Sequence, residues 1–276
     1  RDAVRKRTPC RRLPIPASAQ SSTRKVQTVF SSLHFPPRHR FGMIQSFISI
    51  YPSRLDIACL CIHYNLFIPE ILSERIGHNI FHNLFTRRIG VDAIAAIPPI
   101  YFRLPEYAIA QYWNDISAAA PNTDFVIYNI PQLAGVALTQ GLFAEMRKNP
   151  NVIGVKNSSM PVQDIQMFKQ AAGADYVIFN GPDEQFISGR VIGAEGAIGG
   201  TYGAMPELYL KLDEFVKACD MEHARELQYA CDEIIYKMCS AHGNMYAVIK
   251  AILKINEGLE LGGVREPLPA LVEDDM

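Results

Sequence analysis

From about residue 89 onward, short apolar runs alternate with longer stretches of helical period, and this alternation limits the possible folds more than any other feature. Runs that are apolar on both faces read as strands of a parallel sheet, since parallel neighbours need a crossover helix that covers each face. Five such strands are expected at 92–98, 125–129, 152–156, 176–180 and 196–199. The expected helices are 105–120, with Tyr107, Ala110, Trp113 and Ile116 on one face, then 139–148, 162–172 and 184–192. Thr139 has the chemistry of an N-cap for the second of these. Three further helical stretches, at about 206–218, 222–241 and 245–256, follow the last strand.

An open doubly wound sheet and a closed eight-stranded barrel both satisfy this pattern. The barrel is favoured because no Gly-x-Gly-x-x-Gly or Gly-x4-Gly-Lys loop opens a helix. Polar residues also recur at the C-terminal ends of the later strands: Tyr128, Lys156, the run 180–184 and the run 200–202. A barrel gathers its chemistry at that face. The expected architecture is therefore an α/β (β/α)8 TIM barrel with a C-terminal helical extension. Barrel strands 4–8 fall in 89–204, the extension in 205–276, and an atypical basic segment in 1–88.

That first segment differs in kind. Residues 1–90 hold 14 Lys and Arg against 4 Asp and Glu, whereas 91–276 hold 13 against 24. The first 40 residues are rich in Arg, Pro and Ser without apolar period, a composition of disordered chain. Residues 70–85 read as a helix. The basic residues are scattered and carry no nucleic-acid motif, so a nucleic-acid partner is not expected. No apolar run approaches the roughly 18 residues of a membrane span, and no cleavable leader pattern is present. The six cysteines lack metal-ligand spacing, and Cys231 and Cys239 read as small core residues of a helix. A cytoplasmic protein is expected.

Lys156 ends the run Val152-Ile153-Gly154-Val155-Lys156-Asn157-Ser158, where an ammonium is costly to bury. Such a lysine sheds its proton or finds a carboxylate, and a desolvated neutral lysine is a nucleophile for carbonyl carbon. The ordinary alternative is a strand-end lysine with its head in water. Tyr128 ends the neighbouring strand, and a phenol tuned from its usual pKa of about 10 can relay protons beside a Schiff base. Its ordinary alternative is a strand-end aromatic with a wet hydroxyl.

Tyr128-Asn129-Ile130-Pro131 followed by Gly154-Val155-Lys156 resembles the pyruvate-dependent class I aldolases, the family that includes dihydrodipicolinate synthase and N-acetylneuraminate lyase. The resemblance covers about 89–274. It implies a homotetrameric barrel in which Lys156 forms an imine with the keto carbon of pyruvate or of a pyruvate-containing sugar acid, with no other cofactor. It also implies that Tyr128 relays the proton of the hydroxyl at the bond being broken. Dihydrodipicolinate synthases carry an arginine soon after Tyr-Asn-x-Pro, whereas here the stretch is Gln132-Leu133-Ala134-Gly135. Gly181-Pro182-Asp183-Glu184 is similar to the Gly-x-Asp-Glu motif of sialic acid lyases, although two acids also suit any helix start. Ser158 and Gly181 match substrate contacts of the family. Gly200 stands where bacterial lyases often carry serine, and Gly243-Asn244-Met245-Tyr246 is also lyase-like. The resemblance thus implies cleavage of N-acetylneuraminate to N-acetylmannosamine and pyruvate. A dihydrodipicolinate synthase or another 2-keto-3-deoxy sugar acid aldolase is the alternative. A different class of reading is an inactive relic, because residues 1–88 hold no Gly-(Ser/Thr)-Thr-Gly-Glu loop to bind the pyruvate carboxylate. The expectation for that segment is sequence foreign to the barrel.

Overall fold

The computed structural model describes residues 92–275 and the backbone of Ser49 and Ile50. The expected disorder of the first 40 residues and the helix expected at 70–85 lie outside the described residues. Everything described belongs to one unit of the chain, Ile44–Met276.

A six-stranded sheet carries the fold. Its strands are β1 (Ser49–Ile50), β2 (Ala93–Ala96), β3 (Asp124–Asn129), β4 (Val152–Asn157), β5 (Val177–Asn180) and β6 (Gly196–Ile198), in the spatial order β1-β6-β5-β4-β3-β2. From β2 to β6 every pair is parallel and every neighbour is the next strand in sequence. A doubly wound sheet reverses its strand order at a switch point. This series never reverses, which is the succession of a (β/α)8 barrel. β1 pairs antiparallel with β6, so it does not belong to the parallel series.

The connecting helices are α1 (Glu106–Ala118), the single turn α2 (Pro131–Ala134), α3 (Gln140–Met146), α4 (Gln163–Ala172) and α5 (Phe186–Ile192). Pro131 does more than stop β3. It opens α2, where a fixed φ and a missing N–H cost nothing. Thr139 caps α3 as expected, accepting from Leu142 N at 3.0 Å. The helix expected from Glu184 starts instead as a 3₁₀ turn, Asp183–Gln185, before α5.

Two cores result. One lies between the sheet and α1, α3 and α4, around Trp113, Phe125, Phe143, Val155 and Phe168. The other joins Phe186, Ala197 and Tyr202 to α6 (Pro206–Lys217), α7 (Met221–Cys239) and α8 (Met245–Glu257) through Tyr209, Leu212 and Cys231. The added helices thus share apolar packing with the last strand and its loop. Cys231 is buried as expected, but Cys239 is exposed, since α7 ends there and its last turn has left the packed face.

Candidate active site

The opposite face of the sheet carries Ala95, Val126, Phe179 and Ile198 in a separate buried cluster. Side chains alternate along a strand, so Tyr128 and Lys156 point to the same side as Val126 and Phe179. Their pairing depends on a bulge. Phe125 pairs with Val152, but Val126 pairs with Gly154, leaving Ile153 unmatched. Without that slip Tyr128 would face Val155; with it, Tyr128 pairs with Lys156. Gly154 permits the approach of the next strand, because a Cβ there would run into the carbonyl oxygen of Val177.

Lys156 is 2% exposed, and its Nζ lies 3.8 Å from the centroid of the Tyr128 ring, which is itself buried. A cation over an aromatic face at this distance is attracted by the ring quadrupole. Lys156 also registers against Phe179 of β5.

Directly beneath, on the outer face, the next residues of both strands hold each other. Asn129 Nδ2 donates to Asn157 Oδ1 at 2.7 Å, and Asn129 Oδ1 accepts from Leu138 N at 3.0 Å. Asn157 Nδ2 donates to Ser159 Oγ at 2.8 Å, and that hydroxyl donates to Asp164 Oδ2 at 2.6 Å. This chain of bonds ties the ends of β3 and β4 to the approach to α3 and to the first turn of α4. Sequence reading passed over both asparagines, although their places after Tyr128 and Lys156 were the available signal.

The remaining expected site residues lie along the C-terminal strand ends. Ser158 N donates to Asn129 O at 2.7 Å, and Gly181 N donates to Asn157 O at 2.8 Å. Ser158 and Gly181 abut so closely that a Cβ on residue 181 would collide with Ser158 Oγ. Asp183 and Glu184 part company. Glu184 is exposed, whereas Asp183 is 6% exposed and its Oδ2 accepts from Thr201 N at 2.8 Å and Thr201 Oγ1 at 2.7 Å. Burial, more than any other influence, pushes the Asp183 carboxyl up to about 6, against the two Thr201 hydrogen bonds and, more weakly, the Lys156 charge. Gly200 follows β6, and a Cβ there would sit 3.1 Å from Tyr246 Cε1 and 3.4 Å from its hydroxyl.

One residue was missed outright. Arg103, from the loop before α1, donates from Nη1 to Gly135 O at 2.6 Å, so a cation occupies the region after Tyr-Asn-x-Pro that the local sequence leaves neutral. Among the described residues, no cluster of three His, Cys, Asp or Glu is arranged to hold a metal ion.

The defining pattern of the Dihydrodipicolinate synthetase family matches residues 83–276. Over 188 residues the chain is 89% identical to N-acetylneuraminate lyase of Mediterraneibacter gnavus, covering 68% of this chain and 60% of the relative. The chain therefore spans about three fifths of that relative's length. Wild-type Ruminococcus gnavus sialic acid aldolase superposes with a TM-score of 0.71 at 83% identity, over 72% of this chain and 66% of that structure. A catalytic lysine mutant of the same aldolase superposes with a TM-score of 0.69 at 81% identity, over 74% and 65%. The chain belongs to the dihydrodipicolinate synthetase family.

Proposed function

We propose that this chain is a Schiff-base carbon–carbon lyase that cleaves N-acetylneuraminate to N-acetylmannosamine and pyruvate. One observation carries the proposal: a buried lysine head lies 3.8 Å from the centre of the phenol ring paired with it across β3 and β4. The likeness to a sialic acid aldolase that has a catalytic lysine supports the same assignment.

Lys156 Nζ, as the neutral amine, adds to the keto carbon of the sugar acid, and a proton taken up from water lets the carbinolamine hydroxyl leave as water, giving a protonated imine. That imine is the electron sink. Tyr128 relays away the proton of the hydroxyl on the far carbon of the bond to be broken, and as that carbon becomes the aldehyde carbonyl the bonding electrons pass to the imine, leaving an enamine. Protonation of the enamine and hydrolysis then release pyruvate and regenerate the lysine. No metal or organic cofactor enters this scheme. Ser158, Gly181, Gly200 and the exposed Glu184 form the mouth that receives the polyhydroxylated part, and Asp183 shapes it from behind.

A second reading, condensation onto an aldehyde that bears a carboxylate, is favoured by Arg103, whose guanidinium lies beside Gly135. Assembly as a homotetramer and a cytoplasmic location belong to the first reading. Among the described residues, no helix is long and apolar enough to cross a membrane.

Borohydride reduction in the presence of pyruvate should add a pyruvyl mass to the peptide containing Lys156. Absence of that adduct on folded protein would refute the lyase reading. Turnover of N-acetylneuraminate, compared with condensation of aspartate semialdehyde, decides between the two substrate classes.

A further inference from the structure

Behind the mouth, three buried oxygens lack a hydrogen-bond partner: Asn180 Oδ1, Asp183 Oδ1 and the Tyr202 hydroxyl. They belong to one cluster. The Tyr202 hydroxyl faces both the Asn180 and the Asp183 side chains. Asp183 Oδ1 and the Tyr202 ring both lie against the same point over Gly199, where a Cβ would strike them. The remaining polar atoms are already committed. Asn180 Nδ2 donates to Pro182 O at 2.7 Å, and Asp183 Oδ2 accepts twice from Thr201.

The count of protons decides what this cluster is. With Asp183 ionised, the phenol supplies one proton to two acceptors, and a buried acceptor is left bare at a cost that native structures avoid. With a proton on Asp183 Oδ1, a chain closes: Asp183 donates to the Tyr202 oxygen, and the Tyr202 hydroxyl donates to Asn180 Oδ1. All three orphaned oxygens are then satisfied, and Oδ2 keeps both bonds from Thr201.

We propose that Asp183 is a positioning residue that, in its neutral, protonated form, clamps the Thr201–Gly203 turn to β5 through Asn180 and Tyr202. This clamp stands apart from the lyase reading, since it rests on the buried oxygens alone. It holds the turn beside Gly200 without placing a buried negative charge next to the exposed Glu184.

Five further titratable groups lie around Asp183 and Tyr202. Glu184, on the same turn, favours the proton, and Lys156 from β4 opposes it. Tyr202 follows β6, Tyr209 lies on α6, and Cys231 and Asp232 lie on α7. Tyr209 and Cys231 are held in their neutral forms by burial, so they add no compensating charge. The direction for Asp183 is upward, to about 6, with burial first among the causes.

Between pH about 4 and 6 the folded protein binds a proton that the unfolded chain has released, so this group's contribution to stability falls as pH rises through that window. Two pH units correspond to about a hundredfold in the folded-to-unfolded ratio.

The test uses the full chain labelled with ¹³C at aspartate carboxyls. One resonance, absent in Asp183→Asn, should titrate with a midpoint near 6, and Lys156→Met should move that midpoint higher. Asp183→Asn copies the protonated acid, because its amide donates where the acid proton would. It should fold, be at least as stable as the parent at pH 7, and lack the parent's decline between pH 4 and 7. Asp183→Ala should be weaker at every pH. A resonance that titrates near 4, or an Asp183→Asn protein that is unfolded or less stable than the parent at pH 7, would overturn the clamp. Neither readout depends on turnover, so an inactive chain leaves the test intact, whereas a missing pyruvyl adduct bears only on the lyase reading.

Discussion

Lys156 and Tyr128 are register partners across β3 and β4, with Nζ 3.8 Å from the centre of the phenol ring. In the proposed reaction the amine and the proton relay have separable tasks. Lys156→Met or Lys156→Ala should abolish the borohydride-trapped pyruvate adduct and all measurable cleavage. Tyr128→Phe keeps the ring against the ammonium but removes the hydroxyl. It should still form the adduct while kcat falls by about 10²–10⁴, the usual worth of a positioned acid–base group. Mass spectrometry of the trapped peptide, alongside steady-state kinetics, separates these outcomes. Equal loss of adduct in both variants would mean that Tyr128 serves imine formation rather than bond cleavage.

Close strand approach at Gly154 gives a stability prediction. A methyl group there meets the backbone carbonyl of Val177, which has no rotamer by which to yield. Gly154→Ala should cost about 1–3 kcal/mol, as overpacking of a tight interior does. For a domain of this size that lowers Tm by roughly 2–12 °C. Because β4 would have to shift away from β5, adduct formation at Lys156 should fall as well. Thermal unfolding and trapping on the same preparation check both effects.

Much of this arrangement was legible in the residues, because runs such as 124–129 and 152–157 are apolar until they reach their polar ends. That Tyr128 and Lys156 end neighbouring strands was legible too, but their exact register was not. It depends on the bulge between Phe125 and Val126, and register is a property of two strands that neither run encodes alone. Asp183 and Glu184 were read as one motif. Thr201 draws the first of them inward from a turn 18 residues further on, while the second stays exposed. Arg103 was invisible for the same reason, being 32 residues before the carbonyl it reaches. In each case the deciding partner is remote in sequence.

The asparagine pair beneath the site makes a distinct prediction. Asn157→Ala leaves Asn129 Nδ2 buried without its acceptor and Ser159 without its donor. The expected cost is about 1–3 kcal/mol, accompanied by a drop in kcat larger than any change in KM, since the lysine and tyrosine lose their common anchor. Asn157→Asp restores the acceptor for Asn129 but adds a buried carboxylate near Asp164, which already receives the Ser159 hydroxyl. A carboxylate raised by burial is better tolerated when protonated. Asn157→Asp should therefore be more stable at pH 5 than at pH 8, relative to the parent. Chemical denaturation at the two pH values tests the sign.

At the other end of the molecule, Asp275 accepts from the backbone N–H groups of Val272 at 3.0 Å, His242 at 2.8 Å and Gly243 at 3.0 Å. These bonds, led by that of Val272, hold its carboxyl well below the usual carboxylate range. A depressed carboxylate contributes stability that is present above the unfolded value and lost only as pH falls through the folded one. The clasp should therefore persist through pH 4, where ordinary carboxylates are half protonated. The tail is seated closely: Asn244 N donates to Pro269 O at 2.9 Å, and a Cβ on residue 243 would strike Leu271. Asn244 in turn caps α8, whose Tyr246 leans over Gly200 at the mouth. Asp275→Ala should expose the His242 and Gly243 amides to hydrogen exchange at pH 7, with protection at Asp183 and Thr201 unchanged. Protection of the parent's two amides that already vanishes at pH 4 would show that Asp275 titrates as an ordinary carboxylate.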